Sequence, residues 1–175
     1  MGAYIFLWGQ KQERTPTWYG MFLESGERTE AVDVMQKAWT GDTTEETTPK
    51  IRSLSLNQKT APASIEARVG DPLSAEVKAD GADDALISWQ VREEVPIALQ
   101  SDGGDFEPTP PTIESLLKTQ NTHFDFQVSQ PGEYRLFCQI DSPNRSSAVT
   151  NIPFLITSKP RKLARLLNLF GNKAA

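Results

Sequence analysis

The sequence predicts a mainly β protein. An antiparallel β-sandwich is expected over residues 51–157, preceded by one strand–loop–helix unit over 1–41 and followed by a short amphipathic helix over 158–175. Three observations carry this. The hydrophobic period changes from 3.6 to 2 after a polar linker at 42–50. Seven short runs of period 2 then follow, separated by turn chemistry such as "VGDP", "DGADD", "QPGE" and "SPNRS". The last stretch sets leucines on one face between Pro160 and Gly171.

The first unit opens on Ala3 to Trp8, an apolar and largely β-forming run that reads as a fully buried strand. A loop bearing Gln10, Gln12, Glu13, Arg14, Trp18 and Tyr19 follows it. Ser25 or Thr29 can then cap a helix. Ala31, Val34, Met35 and Ala38 recur at helical spacing, and Gly41 supplies the stop. A lone β/α unit of this kind cannot bury its strand on both faces. "DTTEETTPK", 42–50, has nothing to bury and reads as a linker.

In the sandwich, Leu73, Ala75, Val77 and Ala79 share one face. So do Ala85, Ile87, Trp89 and Val91, and likewise Phe124, Phe126 and Val128. Tyr134, Leu136, Cys138 and Ile140 alternate against an out-of-phase Phe137. Trp89, and Tyr134 two residues after "PG", stand where immunoglobulin-like sandwiches place a core Trp and a corner Tyr. The insertion between these strands contains "PTIESLLKT", expected as a helical turn or two. It also contains "SDGGDFE", whose Asp102, Asp105 and Glu107 are too few for a calcium loop and read as a turn. Glu93 and Glu94 are neighbours on a strand, point to opposite faces, and read as a solvated strand end.

Composition narrows the chemistry. A net charge of −5 with no basic stripe argues against nucleic acid. The single cysteine, Cys138, precludes an intrachain disulfide and reads as a buried thiol. With one histidine, His123, the chain offers no zinc constellation, and no metal or cofactor is expected. No secretory signal pattern and no apolar run of membrane-spanning length is visible. The tail presents Leu163, Leu166, Leu167 and Phe170 beside Arg161, Lys162 and Arg165, a pattern open to docking on the sandwich, fraying, or contact with an anionic membrane.

"YIFLWGQKQERTPTWYGMF" and "ESGERTEAVDVMQKAWTG" resemble the last strand, loop and helix of the (β/α)8 TIM barrel in bacterial glycoside hydrolases of family 2 type. "KIRSLSLNQKTA", "ALISWQVREEVPIALQSDGGDFE" and "PGEYRLFCQIDSPNRSSAVTNIPFLIT" resemble the sandwich, similar to immunoglobulin or polycystic-kidney-disease (PKD) repeats, that follows such barrels. The resemblance spans residues 2–157. It implies a C-terminal portion whose seven preceding β/α units lie elsewhere, with the catalytic barrel as a separate chain among the partners.

It further implies that Trp8 is either a sugar platform at the end of the eighth strand or part of the barrel core. Gln10, Gln12, Glu13 and Arg14 would hydrogen-bond hydroxyls, and Trp18 would stack or pack. Glycoside hydrolysis needs two carboxylates flanking the bond. In the family these stand on the fourth and seventh strands, and Glu13 has no partner here, so no catalytic residue is assigned. The function implied is a non-catalytic portion of a carbohydrate-active enzyme that supports the barrel and contacts polysaccharide, the parent being periplasmic or extracellular. The alternative is a free-standing carbohydrate- or protein-binding sandwich, which would show exposed aromatics on one sandwich face.

Overall fold

The computed structural model describes residues 2–42, 48–99 and 107–158. The leucine-rich tail with Leu163, Leu166, Leu167 and Phe170, and the pair Asp102 and Asp105, lie outside them.

The helix forms as α1, Glu30–Thr40. Gly41 ends it in the left-handed region at φ 71°, and its N–H donates to the Lys37 carbonyl at 3.0 Å. Thr29 stands at the N-cap, but its hydroxyl donates to the Met21 carbonyl at 3.0 Å instead of capping α1. The expected apolar stripe is left uncovered, for α1 has no buried residue. Polar contacts hold the helix instead: Asp33 pairs with Arg28 at 3.2 Å and accepts from the Thr48 hydroxyl at 2.6 Å.

Residues 3–8 do not form the buried strand the sequence suggests. Their one ladder contact is an isolated bridge from Leu7 to Gly20, and Tyr4, Phe6 and Trp8 are exposed. A strand buried on both faces needs a neighbour on each side. None is supplied among the described residues, so the rings face water. Residues 2–42 are therefore a loop-rich segment with one helix, and a barrel strand is absent from it.

The sandwich comprises β1 (Lys50–Leu56), β2 (Ile65–Arg68), β3 (Leu73–Asp80), β4 (Leu86–Glu93), β5 (Thr112–Thr119), β6 (His123–Phe126), β7 (Gly132–Asp141) and β8 (Ser147–Thr157). One sheet has order β1-β3-β6 and the other β2-β8-β7-β4-β5. All pairs are antiparallel except β2 with β8. Two expectations fail here. Thr48 and Pro49 are buried and Lys50 opens β1, so the linker ends earlier than its polarity suggests. "PTIESLLKT" is β5, in register with β4 through Gln90↔Ser115 and Val91↔Glu114. A short proline-flanked helix is marginal on its own, whereas the free edge of β4 offers a full ladder of hydrogen bonds.

The core lies between the sheets. Trp89, Leu136, Cys138 and Ile140 are fully buried in it, together with Leu56, Leu73 and Ile152. Trp89 stacks on Phe124 with centroids 6.0 Å apart, and its Nε1–H donates to the Asn121 carbonyl at 3.1 Å. The expected solvated strand end holds for Glu93 alone. Glu94 instead pairs with Arg135 through two contacts, Nη2 at 2.7 Å and Nε at 2.8 Å.

Tyr134 reaches back over the β6–β7 turn, its hydroxyl donating to the Gln130 carbonyl at 3.1 Å. Tyr134→Phe is expected to cost about 1 kcal/mol in urea unfolding, because it removes one half-buried hydrogen bond and leaves the ring stacked on Phe154. A loss below about 0.3 kcal/mol would mean that the bond contributes nothing net.

Candidate functional site

The outer face of the larger sheet is not bare. On β7, Leu136 and Cys138 point into the core, so Phe137 points outward, yet it is 7% exposed and stands apart from the core cluster. Met21 and Leu23 are buried, likewise outside that cluster. Residues 9–28 lie against this face and fasten to it at two points.

At the first point, the Arg28 N–H donates to the Arg145 carbonyl at 3.1 Å and the Ser147 N–H donates to the Arg28 carbonyl at 2.9 Å. This forms a short parallel bridge with Ser146. At the second, a three-residue turn places Arg14 at φ 55°, with the Thr15 N–H donating to the Glu13 carbonyl at 2.6 Å. The backbone N–H of Arg14 then donates to the carboxylate of Glu107, which is 2% exposed. Glu107 thus belongs to an anchor, a role that the turn-like "SDGGDFE" did not signal. Gly20 closes the loop. The N–H groups of Met21 and Phe22 both reach the Gly9 carbonyl, at 3.0 and 3.2 Å, and a Cβ on Gly20 would stand 2.9 Å from that oxygen.

Between loop and sheet lies a cleft of about 350 Å³, lined by Gln10, Gln12, Pro16, Leu23, Glu24, Ser25, Arg92, Thr109 and Gln139. β4 supplies Arg92 and β7 supplies Gln139. The Arg92 guanidinium lies 5.2 Å above the Phe137 ring and donates from Nη2 to Gln90 at 2.5 Å. Burial pulls the Arg92 pKa down, and Glu24 partly offsets this. Arg92 Nε and Gln12 Nε2 are buried donors without a hydrogen-bond partner.

The structure divides the expected sugar contacts. Gln10 and Gln12 line the cleft. Glu13 faces Lys11 at 3.6 Å. Arg14 serves the anchor through its backbone. Trp8 and Trp18 are outside the cleft lining and are 62% and 66% exposed. Trp8 meets the edge of Phe22 at 5.2 Å, and Trp18 meets Tyr19 at 6.3 Å, which in turn lies 5.1 Å from Phe6. These contacts set the rings against one another while much of Trp8, Trp18 and Phe6 stays in solvent. Among the described residues the Phe, Tyr and Trp rings of the sandwich are buried, Phe137 outside the core cluster and the others in it, so they give no row of exposed rings on that layer.

Arg92, Gln139 and Glu24 were not legible as site residues. The available signal was Phe137, an apolar residue on the polar phase of its strand. Among the described residues Glu24 is the sole carboxylate lining the cleft, no group of acids, histidines or cysteines is placed to hold a metal, and no helix is long and apolar enough to cross a membrane.

No protein-family model matches the chain, and no curated protein matches it. Among solved structures, the PmoD soluble domain from Methylocystis sp. ATCC 49242 is similar at TM-score 0.40 and 10% identity, covering 59% of this chain and 89% of that one. The superoxide reductase (neelaredoxin) from Ignicoccus hospitalis is similar at TM-score 0.35 and 12% identity, covering 67% of this chain and 88% of that one. The extracellular domain of the one-component system BT4673 from B. thetaiotaomicron is similar at TM-score 0.34 and 12% identity, covering 72% of this chain and 17% of that one.

Proposed function

We propose that the chain is a non-catalytic, carbohydrate-contacting portion of a glycan-degrading enzyme. In this reading residues 8–24 present Trp8 and Trp18 to polysaccharide beside a polar cleft. The observation that carries it is the exposed pair of indoles, braced by neighbouring rings, on a segment anchored to a rigid sandwich. Sugar C–H faces pack on such rings, and amide side chains such as Gln10 and Gln12 satisfy hydroxyls in either direction. The sequence of residues 2–41 resembles the end of a glycoside hydrolase barrel, and this supports the same reading through its loop and helix, since no strand forms over 3–8. A barrel in a separate chain would cover the open face of α1. We read the sandwich as immunoglobulin/PKD-like, supported by the Tyr134 corner bond and the core Trp89.

A free-standing carbohydrate- or protein-binding module is the second reading. The two anchors of residues 9–28 favour it, since they give this segment a seat on the sandwich without any barrel.

Retention of the purified chain in native gels cast with soluble polysaccharides tests the common element. Retention by at least one glucan, xylan, mannan or pectin is expected. Trp8→Ala and Trp18→Ala are each expected to weaken it about tenfold, a loss of ~1.4 kcal/mol. Absence of retention on every polysaccharide, or retention unchanged in both variants, would remove the carbohydrate reading. Retention that persists when a barrel chain is added in excess would favour the free-standing module.

A further inference from the structure

We infer that the cleft between residues 10–25 and the outer sheet face binds an acidic sugar, a uronic acid unit whose carboxylate sits against Arg92. This rests on the carbohydrate reading and names the class of sugar. The cleft holds a cation at its sheet-side wall, set over Phe137 and flanked by Gln10, Gln12, Gln139 and Thr109. A pyranose carboxylate needs one forked cationic donor, and its ring hydroxyls need groups that both donate and accept. Arginine and glutamine side chains supply those two functions.

The wall also has unmet demand for acceptor oxygens. Among the described residues Arg92 Nε and Gln12 Nε2 are buried donors in this wall with no partner, and such unpaired donors cost free energy. Burial lowers the Arg92 pKa, so the guanidinium at this wall is partly desolvated. Among the described residues Glu24 is the one carboxylate of the lining, and it is exposed, acting on Arg92 only as a partial counterion. A volume of about 350 Å³ lies at the small end of ligand sites, which run from about 300 to 1,000 Å³, and suits one or two sugar units.

The experiment is calorimetric titration with digalacturonic acid and with its methyl ester, which keeps ring and size and removes the charge. The acid is expected to bind at least tenfold more tightly than the ester. Arg92→Gln is expected to abolish that difference, and Glu24→Gln to enlarge it about threefold by removing the rim competitor. Glu24→Gln keeps the test open should Arg92→Gln fail to fold.

Equal binding of acid and ester overturns the inference while leaving the carbohydrate reading intact. So does retention on neutral polysaccharide with no binding of the acid. Binding of the acid that is indifferent to both Arg92→Gln and Glu24→Gln also overturns it, because the site is then elsewhere. If neither the uronates nor any polysaccharide binds, the carbohydrate reading fails along with it.

Discussion

Trp89→Ala is expected to destabilise the protein by about 3–5 kcal/mol, a large part of the stability of a domain this size. Three losses coincide at this residue. Its ring is fully buried between the sheets, so truncation opens a cavity that a close-packed sandwich closes poorly. Stacking on Phe124 at 6.0 Å disappears. The Asn121 carbonyl loses the indole N–H donor at 3.1 Å. Urea unfolding followed by far-ultraviolet circular dichroism reads the shift, and Trp89→Phe should recover about half of it by refilling volume without the donor. A cost below about 1.5 kcal/mol for Trp89→Ala would show that the core collapses around the gap.

The second large effect is alkaline. Cys138 is fully buried at the centre of β7, and burial pushes its thiol up to about 12 from an ordinary value near 9. Below that ordinary value folded and unfolded chains both keep the proton, and pH exerts no leverage through this group. Above it the unfolded chain releases the proton while the folded chain retains it, so stability falls as pH rises from about 9 towards about 12. The loss attributable to Cys138 is about 2 kcal/mol at pH 10.5 and approaches about 4 kcal/mol near pH 12. The burial-raised Tyr134 phenol acts in the same direction, with Glu93 adding to it. The contribution of Cys138 is therefore read as the difference between wild type and Cys138→Ala across pH 7 to 11. Cys138→Ala carries a packing cost at pH 7 that should shrink, and then invert, as pH rises. Parallel curves for the two proteins would refute a thiol held neutral by burial. The same burial keeps the native thiol inert to alkylating reagents at pH 8, and unfolding in urea exposes it to them.

The two residues share a lesson about legibility. Trp89 and Cys138 were readable as core because alternation puts both on the apolar phase of their strands. Alternation reports which residues share a face, and a buried face takes most of its residues into the core, with Ala79 at the end of β3 only partly covered. It says nothing of what covers the other face. Phe137 broke the pattern, and the break marked where residues 9–28 settle.

The sandwich layer, its core phase, α1 and its Gly41 stop followed from the sequence, since each depends on contacts within a few residues or on one repeating period. Tertiary structure decided the rest. Residues 3–8 have strand composition but no paired strand, because a strand exists only where a neighbour accepts its hydrogen bonds. "PTIESLLKT" has helical spacing but becomes β5, because the edge of β4 offers it a ladder. The cleft is the clearest case. Gln10 and Gln12 lie far along the chain from Arg92 and Gln139, and no local pattern encodes their meeting. They meet because Glu107 and the Arg145–Ser147 backbone hold residues 9–28 on the outer sheet face. Those contacts span long stretches of chain, and only the folded backbone brings them within reach.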